Sequence, residues 1–119
     1  MFSDLKNKVV IVTGAAGGIG GALVTELTKC EAKVYGTDIS GKTENDFFQG
    51  DITDQSFINY MVDEIIRKQG RIDVLVNNAG IYLRTPVKDI TKEEWENLMD
   101  INLTSVFLLT QKIIGIMIK

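Results

Sequence analysis

A chain of 119 residues, 45% hydrophobic and 24% charged, has the composition of one folded domain, and its net charge of −3 leaves no cationic field for a nucleic-acid backbone. Histidine is absent and Cys30 is the single cysteine, which excludes an internal disulfide and the usual zinc ligand sets. The amino terminus, Met1-Phe2-Ser3-Asp4-Leu5-Lys6, lacks the layout of a signal peptide, and the apolar carboxy-terminal stretch is broken by Gln111 and Lys112. A membrane span needs about 20 mostly apolar residues. The expectation is a cytoplasmic protein with no membrane and no nucleic-acid partner.

Residues 8–13, Lys-Val-Val-Ile-Val-Thr, form a β-branched run bounded by glycine, which predicts a strand covered on both faces in a parallel sheet. From Ile19 onward, Ile19, Leu23, Leu27 and Cys30 recur at helical spacing, so a helix packs that side on the sheet. Further strands are predicted over 33–37, 46–50 and 72–77. Between the last two lies a helix with Asp54 as N-cap, Ile58, Met61, Val62 and Ile65 as its apolar face, and Gly70 beyond its end.

After Pro86, Thr91 and Glu94 stand at the spacing of a reciprocal cap, and the helix they start runs past Asn102 to Met117. Trp95 is expected in the core. Beyond Asn102 the apolar residues spread around most of the helix, which predicts two buried faces. Val106, Leu109, Ile113 and Met117 are assigned to the face that meets another subunit, so a homo-oligomer is expected. No linker divides the chain, and 1–119 reads as one α/β domain. The alternation implies three αβα layers around a parallel sheet of order 3-2-1-4. Its ligands would sit at the carboxyl ends of the strands, at the switch between the first and fourth.

The chemistry is concentrated at those ends. Thr13-Gly14-Ala15-Ala16-Gly17-Gly18-Ile19-Gly20 closes the first strand and opens the first helix. Glycines there let the main chain approach a diphosphate, toward which the helix amides point. Taken alone, such a turn can equally be a tight connection. Its glycine spacing departs from the G-x-G-x-x-G fingerprint, and without a following Lys-Ser or Lys-Thr it is no NTPase loop. Asp38 ends the second strand about 20 residues on, where a carboxylate accepts from both ribose hydroxyls and repels a 2′-phosphate. With Ile39 after the acid and no arginine in the turn, NAD is favoured over NADP, and nearby Lys42 leaves NADP as the alternative.

Thr13-Gly14-x-x-x-Gly18-Ile19-Gly20, Asp38, Asp51 and Asn77-Asn78-Ala79-Gly80 together resemble the short-chain dehydrogenase/reductase family, over the whole chain. The resemblance implies a Rossmann-type fold and a coenzyme site built from Thr13, Gly14, Gly17, Gly18, Ile19, Gly20, Asp38, Ile39, Asp51, Ile52, Asn78, Ala79 and Gly80, with no metal. It assigns Asp51 to the adenine amino group, the Asn-Asn-Ala-Gly segment to the cleft wall, and Asn102 to the anchoring of a water in a proton relay. The opening octapeptide and the nearly helix-free link from Asp38 to Phe47 suggest the sugar or polyol dehydrogenase branch.

Two departures from the family stand out. Glu31 occupies a position after the first helix where glycine is common, at a cost on the order of 1 kcal/mol if left-handed. The family's catalytic serine and Tyr-x-x-x-Lys pair are absent, so the chain reads as the nucleotide-binding part of an NAD-dependent oxidoreductase of secondary alcohols, truncated before its chemistry. Tyr35, Tyr60 and Tyr82 are followed four residues later by Ile39, Glu64 and Pro86, so none can substitute. The second reading is a binding module that holds the dinucleotide, or only its adenosine end, without catalysis.

Overall fold

Four short strands find their order by burial. In the computed structural model, which describes residues 3–119, β1 (Val9–Thr13) is buried at every position. It pairs in parallel with β2 (Lys33–Asp38) on one side and β4 (Val74–Val76) on the other, while β3 (Phe47–Gln49) extends the sheet beyond β2. The order is β3-β2-β1-β4, as the alternation predicts. The third and fourth strands are shorter than the predicted 46–50 and 72–77, with three residues each in register with β2 and β1. As an edge strand, β4 keeps all three residues half-buried.

Alternate residues of the sheet feed two apolar clusters. On one face Val10, Val12 and Val34 meet Leu23, Val24 and Leu27 of α1 (Gly18–Lys29). On the other, Val9, Ile11, Tyr35 and Phe48 meet Ile58, Met61, Val62 and Ile65 of α2 (Gln55–Gln69) and Leu109 and Ile113 of the last helix. The three-layer arrangement therefore follows from the period-two alternation of strands whose two faces are both apolar. Ile19, expected on the packed side of α1, is instead 74% exposed, since the first turn of the helix projects past the sheet.

Local signals held where they were local. The Asp54 side chain accepts from Ser56 N at 2.9 Å, and Gly70 closes α2 in the left-handed region with φ 74°. Glu31 is left-handed as well, with φ 64°. Its N–H donates to Thr28 O at 3.0 Å and Ala32 N–H to Leu27 O at 3.2 Å, the paired bonds of a Schellman end that normally favours glycine. Asp73 ties the start of β4 to β1, accepting from Val9 N at 2.8 Å and from Arg71 at 2.6 Å. The Arg71 guanidinium, with help from the Val9 amide, holds the Asp73 carboxyl below its ordinary range against the opposing effect of burial.

The carboxy-terminal helix differs from expectation in three ways. Thr91 caps α3 (Lys92–Met99) by accepting from Glu94 N at 3.0 Å, but the return arm is not made, and Glu94 Oε2 is buried without a partner. The helix is not uniform: a π-helical turn over Asp100–Thr104 separates α3 from α4 (Ser105–Met117). The buried Ser105 hydroxyl donates to Ile101 O at 2.6 Å within that widened turn. The assignment of faces is also corrected. Leu109 and Ile113 are fully buried in the chain's own core, and the exposed apolar stripe is Leu103, Phe107, Ile114 and Ile118. Trp95, expected in the core, is 52% exposed, because nothing in the described chain covers that side of α3. Among the described residues no helix is long and apolar enough to cross a membrane.

Candidate functional site

The carboxyl ends of all four strands open onto one cleft of about 490 Å³, located where strand order reverses between β1 and β4. Gly14 and Gly17 line it from the turn after β1, Thr37, Asp38 and Ile39 from the end of β2, and Gly50, Asp51 and Ile52 from the end of β3. Asn78, Ala79, Gly80 and Ile81 supply the wall after β4, and Asn97 and Ile101 come down from the helical layer.

The glycine turn is fixed by contact as much as by conformation. Gly14 is left-handed at φ 66°, and a Cβ there would stand 2.9 Å from Asn78 Nδ2. A Cβ at Gly20 would collide with the Gly14 carbonyl oxygen. By contrast, a Cβ at Gly17 or Gly18 would meet nothing within 4 Å. Gly17 is the N-cap of α1 and supplies no side-chain cap, so no side chain covers the first-turn amides of that helix from the cap position. A helix end with uncapped donors and open space before it is a physical anion site.

Side chains under the turn hold its surroundings together. Thr13 Oγ1 accepts from Asn78 N at 3.0 Å and Ala79 N at 2.9 Å, which fastens the segment after β4 to the end of β1. Asn78 Nδ2 returns bonds to Thr13 O at 3.2 Å and Gly14 O at 3.3 Å. Asp51 receives Thr53 N and Thr53 Oγ1 on the same oxygen, Oδ1, at 2.9 and 2.7 Å. Asn102 sits in the π-helical turn and spends both ends of its amide on one residue: Oδ1 accepts from Ile81 N at 2.8 Å, and Nδ2 donates to Ile81 O at 2.6 Å. Its side chain is a brace for the cleft wall.

Nine of the residues expected at the coenzyme site line the cleft: Gly14, Gly17, Asp38, Ile39, Asp51, Ile52, Asn78, Ala79 and Gly80. Thr13 and Gly20 lie buried beneath it, Gly18 and Ile19 form the exposed helix start, and Asn102 stands behind Ile81. Sequence reasoning missed Thr37, Gly50, Ile81, Asn97 and Ile101. The signal for the last two was their spacing of four, which places them on one side of a helix just before Asn102. None of the tyrosines lines the cleft. Tyr35 is a core residue that accepts from Gln69 Nε2 at 2.9 Å, while Tyr60 and Tyr82 are exposed.

Comparison with known proteins agrees with this geometry. The family model described as short chain dehydrogenase matches residues 8–119. The chain is 35% identical to the 3-oxoacyl-(acyl-carrier-protein) reductase FabG of Thermotoga maritima, covering 97% of this chain and 52% of that protein. It is 37% identical to a cyclopentanol dehydrogenase of Comamonas sp., covering 97% and 51%. Among solved structures, ligand-free aldohexose dehydrogenase AldT of Thermoplasma acidophilum superposes with a TM-score of 0.91 at 36% identity, over 99% of this chain and 47% of that one. A short chain dehydrogenase of Leptospira borgpetersenii with bound NAD+ gives a TM-score of 0.85 at 32% identity, over 93% and 46%. The chain thus spans about half the length of the relatives it matches. On its strand order, its glycine turn and a family match over nearly its whole length, the chain belongs to the short-chain dehydrogenase family.

Proposed function

We propose that the cleft binds NAD and that this chain is the nucleotide-binding portion of an oxidoreductase acting on a secondary alcohol. One observation carries the reading: the uncapped amides at the start of α1 and the carboxylate of Asp38 open onto the same cleft. The residues fit the coenzyme. Open space at Gly17 and Gly18 accommodates a diphosphate, while Asp38 faces the adjoining ribose and its charge disfavours a 2′-phosphate. Ile39, Ile52 and Ile101 offer apolar walls for an adenine, and Asp51 keeps Oδ2 for its amino group because Thr53 occupies Oδ1. Thr13, Gly18, Ile19 and Gly20 then serve by shaping and presenting the turn, and Asn78, Ala79 and Gly80 by forming the opposite wall. The bound nicotinamide would supply the hydride acceptor. Asn102 contributes by holding Ile81 in place.

An aldohexose dehydrogenase and a cyclopentanol dehydrogenase among the relatives favour an alcohol, including a sugar or polyol, as the substrate. No tyrosine lines the cleft and no Tyr-x-x-x-Lys pair occurs in the 119 residues, so on this reading they bind the coenzyme and do not by themselves turn over alcohols. A binding module for NAD or ADP-ribose is the second reading, favoured because no tyrosine is among the residues that line the cleft. Calorimetric titration of the purified chain tests both. NAD and ADP-ribose should bind within a few-fold of each other and NADP at least about tenfold more weakly, the scale of one lost charged contact. Binding of none of the three overturns the assignment.

The exposed stripe Leu103, Phe107, Ile114 and Ile118, together with the free edge of β4, supports association with a second copy of the chain.

A further inference from the structure

Asp38 is already engaged on both oxygens. Its Oδ2 accepts from Ala16 N at 3.0 Å and its Oδ1 from Ile39 N at 2.7 Å. One residue earlier in the turn, Ala15 N donates to Thr37 O at 3.1 Å. Two consecutive amides of the glycine turn are therefore spent on the end of β2, and neither is left to meet an anion. The donors that remain are those at the start of α1, beyond Gly17, where space is open.

Ala16 lies between Gly14 on one side and Gly17 and Gly18 on the other, in the stretch of chain with the greatest backbone freedom. Gly14 is held from the β4 side by Asn78, but past Ala15 the side-chain tie on the turn is the carboxylate of Asp38. A charged acceptor makes this bond stronger than a neutral one. It also leaves lone pairs, since a carboxylate has about four acceptor sites and two are used here.

We propose that Asp38 is a positioning residue for the diphosphate in addition to accepting from the ribose, its bond to Ala16 setting the orientation in which the amides after Gly17 meet the anion. This deepens the reading of the cleft as a dinucleotide site and rests on it. The two roles differ in sign for a ligand that lacks ribose hydroxyls. If Asp38 served the ribose alone, removing its negative charge would leave such a diphosphate bound as before or more tightly, because like charges repel. As a latch, its removal loosens the turn and weakens binding.

The test uses the whole chain, with Asp38→Ala and Asp38→Asn, titrated with 2′,3′-dideoxyadenosine 5′-diphosphate, alongside hydrogen exchange of the Ala16 amide in the ligand-free protein. Asp38→Ala should bind the probe about fivefold or more weakly, the effect of one net hydrogen bond, and exchange the Ala16 amide about tenfold faster. Asp38→Asn keeps an acceptor oxygen and should recover most of both. Unchanged or tighter binding in Asp38→Ala, or unchanged exchange at Ala16, overturns the proposal. If the unaltered chain binds neither the probe nor NAD, the dinucleotide reading falls, and Ala16 exchange still decides whether the latch exists.

Discussion

The two sides of β1 are finished to different degrees. Toward β2, the glycine turn is closed by the close approach of Gly14 and Gly20 and by Asp38 on Ala16, and the far end of α1 returns the chain to the sheet through Schellman bonds. Toward β4, the sheet ends in a half-buried edge strand, and the helices above it expose Trp95, Leu103, Phe107, Ile114 and Ile118. The difference separates groups satisfied within the chain from apolar surface left exposed. The closed side owes its stability to fit, and the open side to a few tethers.

The largest expected effect strikes the closed side. Gly20→Ala drives a methyl group into a backbone carbonyl that cannot rotate away, so a loss of about 3 kcal/mol and of NAD affinity is expected, read by denaturant unfolding and titration. Comparable affinity in that variant would show the closure to be looser than its geometry implies.

Next comes the tether of the edge strand. Asp73→Ala leaves the N–H of buried Val9 without its side-chain partner, at about 2 kcal/mol. Because the folded carboxyl titrates below its unfolded value, its contribution is complete above the unfolded pKa and disappears as pH falls through the folded one, in a window below about pH 4. Asp73→Asn should flatten that part of the acid unfolding profile while keeping the Val9 bond. An unaltered profile would remove Asp73 from the account.

A smaller effect, of opposite sign, belongs to Glu31. Glu31→Gly relieves a left-handed side chain at φ 64° and loses only an exposed 3.8 Å contact with Lys6, so a gain of about 1 kcal/mol is expected in thermal unfolding. The smallest effect on stability should be the most telling for the open side. Phe107→Asp lies on the exposed stripe and should change unfolding by less than about 0.5 kcal/mol, while light scattering shows a dimer or higher oligomer becoming monomer. A chain that is monomeric at micromolar concentration before the substitution would refute association through this face.

Much of the site was legible because it is local. The glycine run, Asp38 at the end of the next strand and the Asn78-Ala79-Gly80 segment all fall at strand ends, and a parallel sheet brings strand ends to one rim whatever its details. Thr37, Gly50 and Ile81 were missed since each depends on the depth of the cleft. Asn97 and Ile101 were missed since they depend on where a helix crosses it. The further surprise is the allotment of amides in the glycine turn: Ala15 and Ala16 point their donors at β2, which no spacing rule specifies.

The sequence by itself determined the order of the strands and of the first two helices, the caps at Asp54 and Thr91 and the location of the cleft. Each of these follows from steric limits or hydrogen-bonding groups acting over a few residues, or from an alternation that allows one handed sheet order. Tertiary structure alone decided which side of α4 turns inward, the exposure of Trp95 and the π-helical turn that presents Asn102 to Ile81. A helix that is apolar nearly all round carries no phase in its pattern. Its rotation is set by the volume left between α2 and the sheet, where Leu109 and Ile113 fit and Phe107 remains outside.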